Sequence, residues 1–265
     1  MVKGLYTAYT GMIIQQKRMD TLTHNMANSD TDGYKKEGMT VTSFAEQLAH
    51  RIKDTTWNGG LHQGIGDITF GAKVGETYTD WTIGGFRVTD EQTDFAIEGQ
   101  GFFAISYTNK AGETSIKYTR DGNFVIDTQG YLRTKDGDYV LNNADALAGN
   151  TGGRIQVDPT MDIHVDELAN IWQNNQVVGN IGVIDIADYD YLREYGENFY
   201  DLAEGGQVVE NNTSLLQGTL EKSNTNVVTE MVDLIVVSRA YEANQKLITA
   251  IDGDLDKAVN QVGKI

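Results

Sequence analysis

The sequence has no cysteine and a single proline, Pro159, among its 265 residues. The absence of cysteine excludes a disulfide framework and any chemistry that depends on a thiolate. Basic residues are also scarce: 21 Lys and Arg stand against 38 Asp and Glu, so the net charge is −17. Because a strongly acidic chain repels phosphate groups, we expect neither nucleic acid nor an anionic membrane as a partner.

Long apolar runs are missing as well. No apolar stretch reaches the roughly 18 residues that a membrane-spanning helix requires, so the sequence predicts no such helix. Beyond Lys3, polar residues and glycine interrupt the N-terminal region, and we therefore expect no cleavable signal peptide. If the protein leaves the cytoplasm, it is expected to use a route that requires none.

Apolar residues recur in alternating steps of three and four at both ends of the chain. The first series is Leu5, Ala8, Met12, Gln15, Met19, Leu22 and Met26. The second series is Leu234, Val237, Tyr241, Asn244, Ile248, Ile251, Leu255, Ala258 and Val262. This spacing predicts two long helices with one narrow apolar seam each, over residues 5–28 and 226–262, the second capped by Asn226. Each seam must be covered by the other helix or by neighbouring subunits, unless both helices complete the core of a single globular domain.

The pattern changes between the two helices. A shorter helix is predicted for residues 41–52, where apolar residues recur every four positions. From about residue 65 onward, short runs of Val, Ile, Thr and aromatic residues alternate with glycine, which is typical of antiparallel strands. The dipeptides Asp121-Gly122 and Asp136-Gly137 predict hairpin turns, and Gly33 is expected to lie in the turn after the first helix.

These predictions divide the chain into five consecutive regions. They are an N-terminal helix (1–33), a connecting region (34–90), a β-rich domain (91–205), a return linker (206–225) and a C-terminal helix (226–265). The predicted fold class is α+β, with long N- and C-terminal coiled-coil helices packed together and a central antiparallel β-rich domain.

No constellation of side chains indicates catalysis. None of the four histidines has the spacing of a metal ligand, and no nucleotide-binding or nucleophile motif occurs. Carboxylate pairs such as Asp188 and Asp190 carry little weight in a chain with 38 acidic residues. We therefore expect no enzyme activity, no cofactor and no metal.

Five groups of short motifs follow one another along the chain. They are NMANSDTDGYKK (residues 25–36), DFAIEGQGFF (94–103), YTRDGNF with DTQGYL (118–124 and 127–132), GENFY (196–200), and QGTLEKSN with RAYEANQK (217–224 and 239–246). Together they resemble the bacterial flagellar rod, hook and hook-associated family, and most closely its distal-rod branch. The likeness extends over nearly the whole chain, although residues 145–180 match none of the family's motifs.

The resemblance implies a structural subunit of the flagellar basal body. In this family the terminal helices pack as an inner coiled-coil tube, the β domain lies outside, and subunits stack helically around a central export channel. The implied assembly is a hollow shaft that transmits motor torque to the hook. The implied partners are copies of the chain, other rod and hook subunits, the flagellar type III export apparatus and surrounding ring proteins. Export without signal cleavage is implied as well.

The residues expected to carry assembly lie in the seams and in the first motif. The expected interface comprises Leu5, Met12, Gln15, Met19, Leu22, Asn25, Met26, Asn28, Leu234, Val237, Tyr241, Asn244, Ile248, Ile251, Leu255 and Val262. The two amides within the seams, Gln15 and Asn244, are expected to fix the packing register. Structural turns are expected at Gly33, Gly99, Gly101 and Gly122.

Three other interpretations stay open. The chain could be another member of the same family, from the proximal rod or the hook. It could be an extracellular adhesin trimerised by coiled coils, which accounts for the acidity and the seams but not for the ordered motifs. It could be an enzyme such as a peptidoglycan hydrolase, for which the family motifs leave no room. Closed trimers favour the adhesin, and an open helical assembly favours the rod subunit.

Overall fold

The computed structural model describes residues 2–51, 63–196, 198–211 and 213–262. The chain divides into two compact units. The helical unit comprises Met1–Ala27, Glu37–Asp80 and Asn226–Ile265, and the β unit comprises Asn28–Lys36 and Trp81–Thr225.

Three helices and twenty strands occur in the described residues. In chain order they are α1 (Val2–Ala27), β1 (Glu37–Ser43), β2 (Gln47–Arg51), β3 (Gln63–Ile68), β4 (Ala72–Thr79), β5 (Phe86–Val88), β6 (Phe95–Glu98), β7 (Phe102–Thr108), β8 (Thr114–Thr119), β9 (Phe124–Ile126), β10 (Leu132–Thr134), β11 (Tyr139–Val140), α2 (Asn143–Ala148), β12 (His164–Val165), β13 (Asn170–Gln173), β14 (Gln176–Asn180), β15 (Val183–Ile186), β16 (Leu192–Gly196), β17 (Phe199–Leu202), β18 (Val208–Glu210), β19 (Ser214–Gln217), β20 (Thr219–Glu221) and α3 (Val227–Lys257). A single 3₁₀ turn, Tyr189–Tyr191, precedes β16, and a π-helical turn, Ala258–Val262, follows α3.

Asn226 begins α3 as the sequence predicts. Its side chain accepts hydrogen bonds from the backbone N–H groups of Val228 at 3.0 Å and Thr229 at 3.4 Å. These two donors have no partner within the helix, so the amide satisfies groups that would otherwise need water. The predicted N-cap is therefore confirmed.

The prediction of a short helix over residues 41–52 is wrong for residues 41–51, and Ile52 lies outside the described residues. These residues lie partly in β1 and β2, which pair antiparallel with β4 and β3 respectively. The run Thr40-Val41-Thr42-Ser43 is rich in β-branched residues, which favour strands over helices. The apolar spacing alone indicated a helix. Pairing with β3 and β4, which come later in the chain, favours strands instead.

The prediction that the terminal helices form a coiled coil is also wrong. The described residues hold one long N-terminal helix, one long C-terminal helix and the six-residue α2, with no extensive coiled-coil pair among them. α1 contacts α3, but it also contacts β1 and β4. Along the described seam of α3, Val237 is the one buried side chain. In a coiled coil, each seam residue is enclosed in a hole formed by residues of the partner helix. The half-buried seam residues of α3 are not enclosed in this way.

The β unit is built around β7. The largest sheet has the order β16-β17-β8-β7-β11-β10-β9, and β15 pairs with both β7 and β18. β12, β13 and β14 form a three-stranded sheet, while β6 pairs with β19 and β5 pairs with β20. All of these pairings are antiparallel, as the sequence predicts for this region.

Both faces of β7 are buried. Phe103 and Ile105 belong to the larger core cluster, whereas Phe102 and Ala104 belong to a second cluster with Tyr118 and neighbouring residues. Successive side chains of a strand point to opposite faces, so a strand with core on both sides reads as a continuous apolar run. This is the reason that residues 102–105 are all apolar.

One of the two predicted hairpin turns is confirmed. Asp136-Gly137 connects β10 to β11, which pair with each other. Asp121-Gly122 does not connect a hairpin, because β8 pairs with β7 and β17 whereas β9 pairs with β10. A turn dipeptide identifies a change of direction, and the pairing partner is decided by the rest of the sheet.

Candidate functional site

The structure places the seam residues on the less exposed sides of α1 and α3. In α1, Ala8 and Leu22 are buried, and the other seam residues are half-buried. In α3, Val237 is buried and the remaining seam residues through Leu255 are half-buried. Beyond α3, Ala258 is exposed and Val262 lies in the π-helical turn. The seams thus retain apolar surface that the helical unit does not cover.

Asn244 meets α1 at a glycine. A Cβ added to Gly11 would lie 3.1 Å from Nδ2 of Asn244, so the amide packs closely on the backbone of α1. About two turns toward the N-terminus of α1, a Cβ on Gly4 would lie 3.8 Å from Ile251, which is ordinary contact. Of these two contacts between α3 and α1, the one made by Asn244, the polar residue of the α3 seam, is therefore the closer.

Asn25 links α1 to β1 and α3 within the helical unit. Its Nδ2 donates to the carbonyl oxygen of Glu37 at 2.8 Å and to Oε2 of Glu230 at 3.4 Å. Its Oδ1 accepts from the backbone N–H of Glu37 at 2.9 Å. Asn25 and Glu230 are both buried, and Glu230 lies in the first turn of α3, where a carboxylate suits the positive end of the helix. Asn28 belongs to the β unit and is half-buried.

α3 has a second exposed apolar surface that the spacing of the seam does not predict. Its members lie on the side of the helix opposite Val237 and are 50–70% exposed. We call this surface the outer patch; it comprises Val228, Met231, Val232, Ile235 and Val236. A helix that is apolar on opposite sides is normally covered on both of them. The signal was visible in the sequence as the nearly continuous apolar run of residues 231–237, interrupted only by Asp233.

The predicted turn glycines lie where the backbone is crowded or left-handed. Gly33, Gly99 and Gly101 have φ of 71°, 140° and 123°. A Cβ on Gly33 would overlap the backbone of Arg120 and Asp121, and a Cβ on Gly122 would overlap the carbonyl oxygen of Phe95. Larger residues at these positions would force the loops of the β unit apart.

Lys35, Arg120 and Glu221 form a buried charge cluster in the β unit. Lys35 Nζ lies 2.6 Å from Glu221 Oε1, and Arg120 Nη1 lies 3.2 Å from Glu221 Oε2. The three side chains are 1%, 3% and 1% exposed. The family motifs contain all three residues, but the sequence did not predict that one carboxylate lies between two buried cations.

Backbone groups supply further hydrogen-bond partners to the charge cluster, although Nε of Arg120 has none among the described residues. Lys35 Nζ also donates to the carbonyl oxygen of Thr82 at 2.8 Å, and Arg120 Nη2 donates to that of Gly99 at 2.7 Å. Glu221 Oε1 accepts from the N–H of Gly84 at 2.9 Å. Buried charges are tolerated when they are paired and hydrogen-bonded in this way, so the cluster joins distant motifs of the β unit.

Two carboxyl groups beside this cluster have raised pKa values. Burial raises the pKa of Asp121 to about 6, and the nearby carboxylate of Asp32 adds to the effect. Burial also raises the pKa of Asp32, although Arg87 opposes the rise from 2.7 Å. The backbone N–H of Asn123 donates to Asp121 Oδ1 at 3.0 Å and stabilises the carboxylate, but it does not offset the burial.

We expect Asp121→Asn to stabilise the β unit at neutral pH. The folded-state pKa lies above the unfolded value, so the native state binds the proton more tightly and loses stability as pH rises from about 4 through about 6. The neutral amide keeps an acceptor for Asn123 and should add about 2–3 kcal/mol at pH 7.5, but almost nothing at pH 3.5. Urea unfolding at both pH values measures the difference. Asp190→Asn, at an exposed carboxyl, serves as the control; an equal gain at both pH values would contradict the prediction.

Comparison with known proteins identifies the class to which the chain belongs. Three family models match: "Flagella basal body rod protein" over residues 5–35, "Flagellar hook protein FlgE/F/G D1 domain" over residues 96–184, and "Flagellar basal body rod FlgEFG protein C-terminal" over residues 216–262. These ranges contain α1 from residue 5 onward, the central part of the β unit and all of α3. No helix in the described ranges is both long and apolar enough to cross a membrane.

Curated relatives match over the full length. The flagellar hook-basal body complex protein FlhO of Bacillus subtilis is 32% identical over 272 residues, which cover 100% of both chains. The basal-body rod protein FlgG of Borreliella burgdorferi is 32% identical over 270 residues, 98% of each chain. FlgG of B. subtilis is 31% identical over 277 residues, 98% of this chain and 99% of its own. The chain therefore belongs to the flagellar basal-body rod family, FlgG type, and is a structural subunit of the rod.

Proposed function

We propose that this subunit builds the distal segment of the rod by assembling helically with copies of itself into a hollow shaft. The observation that supports the proposal is the outer patch: α3 is apolar on two opposite sides, and the helical unit covers one of them. Contact between this patch and a different surface of the next subunit is heterologous, and such contacts generate open helical assemblies when they do not close into a ring. The distal position rests on the resemblance of the ordered motifs.

The proposed interface includes the half-buried seams as well as the outer patch. Burial of partly covered apolar side chains on association is favourable by about 25 cal/mol for each Å² of apolar surface removed from water. The seam residues proposed for contact between subunits are Leu5, Met12, Gln15, Met19, Leu22, Met26, Leu234, Val237, Tyr241, Asn244, Ile248, Ile251, Leu255 and Val262. Asn25 and Asn28 are proposed to contribute through the turn after α1.

Its partners are proposed to be other rod and hook subunits and, during delivery, the flagellar type III export apparatus. Surrounding ring proteins are proposed as further neighbours of the finished shaft. The role is mechanical: the shaft transmits torque from the motor to the hook and surrounds the path of exported subunits. We propose no catalytic activity for this chain.

Electron microscopy of basal bodies from an in-frame deletion strain tests the function. We expect rods that stop short and carry neither hook nor filament, with normal length restored by the wild-type gene in trans. The length of the truncated rod identifies the segment that this subunit builds. Complete rods with hooks in the deletion strain would reject the proposed role.

Asn244→Leu is expected to loosen the order of the assembly while leaving the subunit folded. Asn244 packs against Gly11, and an amide at such a point fixes register because an apolar residue can slide to other positions. The unfolding free energy should change by no more than about 1 kcal/mol, since the site is only half-buried. Sharpness of layer lines in images of assembled rods is the readout. Ala243→Leu, at the exposed neighbouring position, is the control; rods equally ordered in both variants would remove the register role.

A further inference from the structure

Two arginines pack against one tyrosine ring on the surface of the β unit. Cζ of Arg154 lies 4.0 Å from the centre of the Tyr139 ring, and Cζ of Arg133 lies 4.2 Å from it. Arg133 and Tyr139 are opposite each other on the paired strands β10 and β11. The ring of Tyr131 contacts that of Tyr139 edge-on, with 5.6 Å between the ring centres. We call Arg133, Tyr139 and Arg154 the arginine stack.

The two guanidinium groups of the arginine stack differ in their charge partners. Arg133 is ion-paired with Asp127 at 2.9 Å and also donates to the hydroxyl of Tyr139. Arg154 is exposed and forms no ion pair with any carboxylate of the described residues. A guanidinium group can stack on a ring and still present N–H donors at its edge, in a fork that matches a carboxylate. Stacking on Tyr139 therefore holds a cation in place without neutralising its charge.

Exposed carboxylates lie together after β15. Asp188 and Asp190 belong to the turn that precedes β16, and both are exposed. Glu204 is exposed next to the same turn, because the backbone N–H of its neighbour Ala203 donates to the carbonyl oxygen of Tyr191 at 2.8 Å. We call Asp188, Asp190 and Glu204 the acidic turn.

The arginine stack and the acidic turn lie toward opposite ends of β7. β11 and β15 pair antiparallel with the same edge of β7, with Tyr139 opposite Ser106 and Ile184 opposite Phe102. β15 then continues past the start of β7 to Ile186, and the acidic turn follows. Four residues separate Ser106 from Phe102 and two more separate Ile184 from Ile186, so the two surfaces are at least roughly 20 Å apart along the strand direction.

We propose that the arginine stack of one copy of the chain binds the acidic turn of the next copy. Because the two surfaces lie at opposite ends of one folded unit, a single copy cannot bring them together, whereas a second copy in the same orientation can. Each such contact leaves one arginine stack and one acidic turn free for further copies, which is the property of an open assembly. The proposal rests on the self-assembly proposed above and assigns a contact between β units to named side chains.

Exchange of the charges tests this pairing. Arg154→Glu and Glu204→Arg should each raise the concentration required for assembly about three- to tenfold, because repulsion replaces attraction across the contact. The double variant restores opposite charges in exchanged positions and should return to within about twofold of wild type. Lys222→Glu changes an exposed charge elsewhere in the β unit and should have no such effect. Unchanged assembly in both single variants, no recovery in the double variant, or an equal loss in Lys222→Glu would overturn the pairing.

Cross-linking in rods isolated from cells tests the same contact directly. The chain has no cysteine, so thiols introduced at Gln156, beside the arginine stack, and at Asp190 are the only ones it contains. A bifunctional maleimide should convert the variant with both cysteines into a ladder of covalent oligomers, whereas Gln156→Cys and Asp190→Cys alone should stay monomeric. Dimers of a single variant would mean that like ends meet, and links to a different protein would mean that the partner is not a second copy. Either result overturns the proposal.

The isolated rods also separate this proposal from the proposed function. Rods that contain the chain but yield no ladder reject the contact between the arginine stack and the acidic turn and leave the role of the subunit intact. Rods that lack the chain reject the proposed function, and this contact with it.

Discussion

Replacing Glu221 by glutamine is expected to destabilise the β unit by about 3–5 kcal/mol. The substitution keeps the shape of the side chain but removes the charge that faces Lys35 at 2.6 Å and Arg120 at 3.2 Å. Both cations are almost completely buried, so neither can recover its hydration without opening the structure. An effect of this size is a large fraction of the total stability of a typical domain, and urea unfolding followed by tryptophan fluorescence will measure it.

The matched control for this prediction is Glu98→Gln. Glu98 also lies in a strand of the β unit, but its side chain is exposed, so the same chemical change should alter the unfolding free energy by less than about 0.5 kcal/mol. The pair of variants separates loss of a buried charge from loss of a carboxylate in general. A destabilisation below about 1 kcal/mol in Glu221→Gln would show that water or a backbone shift reaches the cluster and that the two cations are not held by this carboxylate.

Ile235→Glu is expected to prevent assembly without unfolding the subunit. Ile235 is 52% exposed at the centre of the outer patch, so a carboxylate there costs the isolated subunit little. In an assembled rod the same carboxylate would be removed from water without a partner, which costs several kcal/mol. We expect the concentration required for assembly to rise at least about a hundredfold, equivalent to roughly 2.8 kcal/mol. Sedimentation of the purified protein and motility of cells that carry the variant are the measurements.

Two further variants make this prediction specific. Ile235→Val keeps an apolar side chain and should assemble nearly as wild type does, because it removes only one methylene group from the patch. Ala243→Glu places the same charge on an exposed position of α3 beyond the outer patch, and it should assemble as well. Normal assembly of Ile235→Glu would falsify the assignment of the outer patch to the subunit interface, whereas circular dichroism must show that all three variants are folded.

Features that depend on interactions between residues close together in the chain were predicted correctly from the sequence. Asn226 was identified as a helix cap because its partners, Val228 and Thr229, lie two and three residues away. The position of α1 followed from spacing within a single helix. The strands around Phe102 and Phe124 were found for the same reason, since runs of apolar residues between turn residues are a local signal.

Features that depend on contacts between segments far apart in the chain were predicted wrongly or not at all. Residues 41–52 have a helical spacing, yet residues 41–43 and 47–51 lie in strands because β3 and β4 supply hydrogen-bonding partners. The seams correctly indicated which sides of α1 and α3 are less exposed, but the coiled coil inferred from them was wrong because β1 and β4 also contact α1. Glu221 lies 186 residues from Lys35 and 101 residues from Arg120, so no local sequence pattern predicts that these charged groups are in contact.

By itself, the sequence determined the family, the two long helices, the antiparallel character of the central region and the cap at Asn226. These features rest on ordered motifs and on interactions between residues close together in the chain. Only the tertiary structure decided the pairing of β1 with β4, the burial of Lys35, Arg120 and Glu221 as one cluster, and the exposure of the outer patch. The physical reason is that burial and strand pairing depend on which distant segments of the chain come into contact. The spacing of residues within one segment does not specify which other segments pack against it.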